Sequence, residues 1–225
     1  MLYIVTVTIS IIIGIDAGVV PVIVVITISV ILRVLIEYKG ASRTHTDEDD
    51  TIIRAILRVV SILASDINMT LRAHIAWMDL DGFLRIKYHY GMDKDPDRYI
   101  ELRSGQGCMG QTWAHVEQNY KIDGTFANLK EAAEKGDPDW NMPAAQQALV
   151  KKGLCWIFTF PIFAQEEVGV SIIGLLTIDS NDALDIKNDE LIVKKIEDFI
   201  GTLASIYGAI LPALTNIPRG TRRQI

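Results

Sequence analysis

The sequence predicts an α+β domain, an antiparallel sheet flanked by helices, preceded by an N-terminal transmembrane helix or helical hairpin. Three observations carry this. The first 36 of 225 residues hold 26 apolar residues and two charges, Asp16 and Arg33. Downstream, apolar runs come in pairs separated by short polar turns, as in antiparallel hairpins. The stretches 52–67 and 189–211 carry seams at steps of three and four, the spacing of a helix face.

As one straight helix, residues 2–36 would measure roughly 52 Å, well beyond a bilayer core of ~30 Å. Asp16-Ala17-Gly18 interrupts the run and Pro21 follows, which suits a turn and the first turn of a second helix. The reading is a hairpin, 2–15 up and 19–36 back, with one spanning helix over 15–36 as the alternative. Arg33, Lys39 and Arg43 cluster at its exit, so the remainder is expected in the cytoplasm, at an inner or plasma membrane. A juxtamembrane linker occupies 37–50, the main domain 51–211 and a basic tail 212–225.

The positive mean hydropathy of +0.24 comes from that first segment. The formal net charge of −6 gives no footprint for a nucleic-acid partner. Cys108 and Cys155 are too few for a disulfide framework and too far apart for a metal motif. His45, His74, His89 and His115 are dispersed, so no metal site is expected.

The linker ends in the acidic run TDEDD, which favours a helix N-terminus. In the helix over 52–67, Ile53, Ile56, Val60, Leu63 and Ile67 form the seam. Strands 72–80 and 83–90 flank Asp81-Gly82, a two-residue hairpin signal. In the second strand Leu84, Ile86, Tyr88 and Tyr90 alternate with polar residues, giving one dry face. A short strand near 99–103 leads through SGQGCMG into a helix. Two short helices are expected near 126–135 and 143–152. The runs 154–164 and 168–179 are apolar on both faces, as covered strands are. The last helix carries Ile192, Ile196, Phe199, Leu203, Ile206 and Ile210, and Pro212 ends it. Val193, Ile200 and Tyr207 form a second stripe on it.

Gly105, Gly107 and Gly110 spell G-x-G-x-x-G. A dinucleotide site needs a buried parallel strand before it and another after the helix. RYIELR is too polar for the first, and no clear second follows. The glycines therefore read as a tight strand-to-helix turn.

With these elements in order, two segments resemble the GAF domain family. ELRSGQGCMGQTWAHVE (101–117) is similar to its glycine turn and following helix. FPIFAQEEVGVSIIGLLTIDSND (160–182) is similar to its late hairpin. The resemblance covers about residues 52–211. It implies first and last helices on one sheet face, a ligand pocket on the other and the insert 118–152 as its roof. Such domains bind cyclic nucleotides, tetrapyrroles and other small metabolites, and often dimerise through their helices. The chain lacks the asparagine-lysine-phenylalanine-aspartate signature of the phosphodiesterase type and the Cys-His pair of the bilin-attachment type. It has too few cysteines for the sulfoxide-reducing branch.

Ligand-binding candidates are Trp113, Phe126, Trp140 and Trp156 for stacking on a planar ligand, and Arg103 for a phosphate. Thr159, Thr177 and Asp123 are candidates for hydrogen bonds. Core packing competes for Trp113 and Trp156, and solvent for Arg103 and Asp123. No catalytic residue is assigned and no enzyme is expected. No cofactor is required; a cyclic nucleotide is the ligand candidate and haem is disfavoured. The expected partners are a membrane, a small-molecule ligand and a second copy of the chain, as a homodimer or higher homo-oligomer. The resulting expectation is a membrane-anchored sensor acting through oligomerisation and its transmembrane segment. That layout resembles bacterial defence effectors that perturb membranes. The alternative is a membrane-tethered interaction module that recruits a separate signalling partner.

Overall fold

The computed structural model describes residues 47–119, 124–128, 141–165, 169–184, 188–215 and 223–224. The chain divides into two units, Met1–Thr44 and His45–Ile225, and the described residues belong to the second. The expected transmembrane segment 1–36 lies outside them. Among the described residues no helix is long and apolar enough to cross a membrane.

Helix α1 spans Asp47–Leu57 and α2 spans Val60–Ile67. The single helix expected over 52–67 is thus broken. Between them Val59, Ser61 and Ile62 donate to carbonyls three residues back, and Ser61 Oγ donates to Arg58 O at 2.7 Å. These tighter bonds replace the α-helical ladder. The acidic run lies inside the first turns of α1, so the helix starts earlier than its apolar seam.

Strands β1 (Leu71–Met78) and β2 (Leu84–Tyr90) form the first hairpin. Its connection is five residues, not two, because Met78 pairs with Leu84 and Asp79 N–H donates to Phe83 O. The register shifts at Ile75/Ala76, where Tyr88 and Ile86 are their respective partners and Lys87 is extra. The bulge reverses the phase of β2. Leu84 and Ile86 face one side of the sheet and Tyr88 the other, so the single dry face read from the sequence is divided between both.

A 3₁₀ turn, Pro96–Tyr99, leads to β3 (Glu101–Leu102), which pairs antiparallel with β2. Helix α3 spans Gly107–Asn119. Gly105 and Gly107 have φ of 86° and 59°. A Cβ on Gly110 would meet Arg103 O at 2.3 Å. The glycine motif therefore turns the chain and lets two backbone segments touch.

Residues Thr125–Asn128 form strand β4, where a helix is expected from 126. Propensity is overridden there by pairing with β5. Most of the expected helix 126–135 lies outside the described residues. The second short helix, α4, spans Ala144–Gln147. Strands β5 (Trp156–Gln165) and β6 (Val170–Ser180) form the apolar hairpin. Helix α5 spans Glu190–Leu214 and β7 (Arg223–Gln224) pairs with β6. Pro212 lies inside α5, two residues before its end. It removes only one hydrogen bond in the last turn, which Thr215 closes by donating N–H to Leu211 O.

Among the described residues the sheet runs β3-β2-β1-β6-β5-β4, antiparallel throughout. Residues directly opposite share a face. Tyr88, Ile75, Leu176 and Phe160 make one row across it. That row faces the helices: Tyr88 Oη donates to Asp50 of α1 at 2.7 Å, and the Phe160 ring packs at Gly201 of α5. Ile200 and Tyr207 are fully buried, and Tyr207 Oη donates to Ile53 O. Two of the three residues in the second stripe are thus used inside the domain, rather than left for a second copy.

Candidate functional site

The opposite face of the sheet is covered by α3, and its floor is polar. His89, His74, Thr177, Thr159 and Thr125 stand opposite one another on five successive strands. Thr159 and Thr177 satisfy each other at 3.1 Å. The next row holds Arg72, Asp179 and Ile157.

A cavity of about 320 Å³ lies above this floor. Ile86, Ile157 and Leu102 form apolar walls, and Cys108 and Met109 enter from α3. Met142, Gln147, Val150 and Lys151 supply a roof from the described part of the insert. His74, Asp97 and Asp179 converge at the polar end.

Arg72 organises that end. Nε donates to Asp179 Oδ1 at 2.6 Å and Nη1 to Asp95 Oδ2 at 2.7 Å. Nη2 lies 2.9 Å from Asp97 Oδ2 without the alignment of a hydrogen bond. Lys151 Nζ reaches Asp95 at 3.0 Å, tying the roof to the loop before β3. Burial works against the charge on Arg72, but Asp179 and Asp95 outweigh it and raise its pKa above the usual range. Burial pushes Asp179 up to about 6, with Arg72 pulling the other way. Burial, with help from the Arg72 charge, pushes His74 down to about 3, so it is neutral at pH 7. Burial also pushes the Cys108 thiol up to about 12, which keeps it protonated and a poor nucleophile.

The sequence candidates fall elsewhere. Trp113 is buried in the cluster around Ile172 and Leu175, its Nε1 donating to Glu117 at 2.7 Å. Trp156 is fully buried on β5. Arg103 is exposed and stacks over Phe83 at 4.2 Å. Thr159 and Thr177 are brought together, on the floor beside the cavity rather than in its lining. Phe126 pairs with Phe158 through its backbone in β4. Asp123 and Trp140 lie outside the described residues.

The polar groups at this end, His74, Asp97, Lys151 and Asp179 in the cavity lining and Arg72 paired to the carboxylates, were not among those candidates. A signal existed for three of them. Arg72 and His74 alternate within an otherwise apolar strand, and Asp179 closes another. Charge at a covered strand position demands a partner. Asp97 and Lys151 carry no such mark, because their loops look solvated. Among the described residues no three His, Cys, Asp or Glu side chains form a group that could hold a metal ion.

An antiparallel sheet with the terminal helices on one face and a roofed cavity on the other is the α+β arrangement that the resemblance to GAF domains implies. No protein-family model matches the chain, and no curated protein matches it. Solved structures do resemble it. The phycoerythrobilin-bound GAF domain from a cyanobacterial phytochrome is 16% identical with a TM-score of 0.46, covering 80% of this chain and 92% of its own. The GAF domain from Acinetobacter phosphoenolpyruvate-protein phosphotransferase is 14% identical with a TM-score of 0.44, covering 85% and 98%. The type II free methionine-R-sulfoxide reductase from Thermoplasma acidophilum is 17% identical with a TM-score of 0.42, covering 72% and 97%. At such identities no ligand or activity carries over to this chain.

Proposed function

We propose that the chain is a small-molecule sensor attached to a membrane by residues 1–36. Its GAF-like domain takes a ligand in the roofed cavity, on the cytoplasmic side of an inner or plasma membrane. Occupancy alters self-association and is passed to the apolar segment. The observation that supports this best is the cavity itself. About 320 Å³ lies within the range of small-molecule sites, and its few polar groups converge at one end. The domain acts by binding and not by catalysis. An interaction module would have no use for such a space.

The polar end also bears on the ligand. Arg72 and Lys151 already hold carboxylates, so neither is available to a phosphate without releasing one. This weighs against a cyclic nucleotide. The test is thermal melting of the full chain against a panel of cyclic nucleotides, amines and heteroaromatic metabolites, with Met142→Trp as a blocked control. At least one compound is expected to raise Tm in the parent and not in the control. A panel without such a compound overturns the sensor reading. Removal of residues 1–36 is expected to release the chain from sedimenting membranes, and retention there overturns the anchor.

A further inference from the structure

Resting on the sensor reading, we infer that the cavity is built for a compact apolar ring compound carrying an amidinium or protonated amine, and rejects carboxylates and phosphates. Two independent features of the polar end lead there.

The first is charge. Two cations, Arg72 and Lys151, face three carboxylates, Asp95, Asp97 and Asp179, within 2.6–3.0 Å contacts. The set therefore carries a formal charge of minus one. Arg72 and Asp179 are almost wholly buried, so water screens little of it.

The second is a pair of acceptors in the cavity lining that lack donors; the unpaired donor at this end, Arg72 Nη2, belongs to a residue outside the lining and lies against Asp97 Oδ2 at 2.9 Å. His74 Nε2 lies 3.4 Å from Met109 Sδ. A thioether sulfur only accepts, so this contact places the proton on Nε2. Nδ1 is then a bare lone pair, buried and without a hydrogen-bond partner among the described residues. It lies 4.0 Å from Asp179 Oδ2, itself only an acceptor when ionised, and too far for a hydrogen bond. Asp97 Oδ1 is likewise buried without a hydrogen-bond partner there. Both His74 and Asp97 line the cavity. A ligand N–H group supplies the donors that these atoms lack. An anion adds acceptors and charge of the wrong sign.

The remaining lining sets the body of the ligand. Met92, Met109 and Met142 surround it with adaptable thioether side chains that suit a flat ring. The volume of about 320 Å³ is roughly twice the ~150 Å³ cavity that accepts one benzene, so a fused bicycle fits.

The test uses three isosteres, 2-naphthamidine, 2-naphthoate and 2-naphthyl phosphate, titrated calorimetrically into the full chain in detergent. Naphthamidine is expected to bind at least about tenfold more tightly than either anion, the scale of one opposed charge in a partly dry site. Met142→Trp, on the roof, abolishes its binding. Asp97→Asn weakens it about tenfold. Lys151→Met, which removes a cation from the polar end at a partly exposed side chain, tightens it in protein whose fold is checked by thermal melting. Equal or tighter binding of an anion overturns the inference and leaves the cavity reading standing. Naphthamidine binding unchanged by both Asp97→Asn and Lys151→Met also overturns it. Failure of all three compounds, or naphthamidine binding that survives Met142→Trp, overturns the inference too, while the sensor reading stands or falls with the wider panel.

Discussion

The two faces of the one sheet are finished differently. On the helix face, Ile75, Leu176 and Ile178 are wholly buried and α5 presses close. Gly208 shows how close: a Cβ there would meet Phe163 O at 1.9 Å. On the other face the same strands present Arg72, His74, Thr177 and Asp179 beneath a space left open. The first face is stabilised by contact throughout; the second combines an apolar cluster under α3, built on Trp113 and Leu175, with charge pairing around Arg72. A strand has two sides one residue apart, so a single β1 or β6 serves both purposes.

The contrast is broken most severely at Arg72. Arg72→Leu leaves Asp95, Asp97 and Asp179 without their shared cation and is expected to cost about 3–5 kcal/mol in chemical denaturation. A loss below that of an ordinary surface change would show that the carboxylates find other partners.

Truncation separates the two faces directly. Ile75→Ala on the helix face is expected to cost about 3 kcal/mol, since a filled core cannot collapse into the gap. Ile157→Ala, at the cavity wall, should cost roughly 1 kcal/mol, because one side of it already lacks contacts. Equal losses would mean that the cavity closes in solution.

Gly208→Ala is expected to cost about 2 kcal/mol, with α5 displaced from Phe163. Its improved helix propensity offsets only part of that. A neutral result would show that α5 does not seat against β5 as closely as its backbone implies.

The smallest effect is in the pH dependence. His74 is neutral when folded, with a pKa of about 3, and titrates near 6.5 when unfolded. Below pH 6.5 the unfolded chain takes up the proton and the folded one does not, so this group lowers stability as pH falls from 6.5 toward 3. Asp179, raised to about 6, acts in the opposite direction, adding stability as pH falls through 6. His89, held down by burial, acts with His74. His74→Phe is therefore expected to flatten the decline in Tm between pH 7 and 5. An unchanged slope would mean that His74 is protonated in the fold.

The sequence by itself determined the α+β class, the strand pair over 154–179, the long last helix and the structural use of the glycine motif. Each is written in local chemistry: an apolar run, a 3/4 seam, a residue without a Cβ. The order of strands, the bulge at Ile75/Ala76 and the strand at Thr125–Asn128 were settled by pairing between distant segments. No local pattern states whether Ile86 and Tyr88 share a face, because one extra residue reverses it. The site was less legible still. Trp113 and Trp156 announced themselves by size and were absorbed into the core, where large apolar area is best buried. Arg72 and Asp179 lie 107 residues apart and acquire their role only in contact. A charge in a covered strand tells from sequence that a partner exists; only the tertiary structure decides which partner, and what space remains beside it.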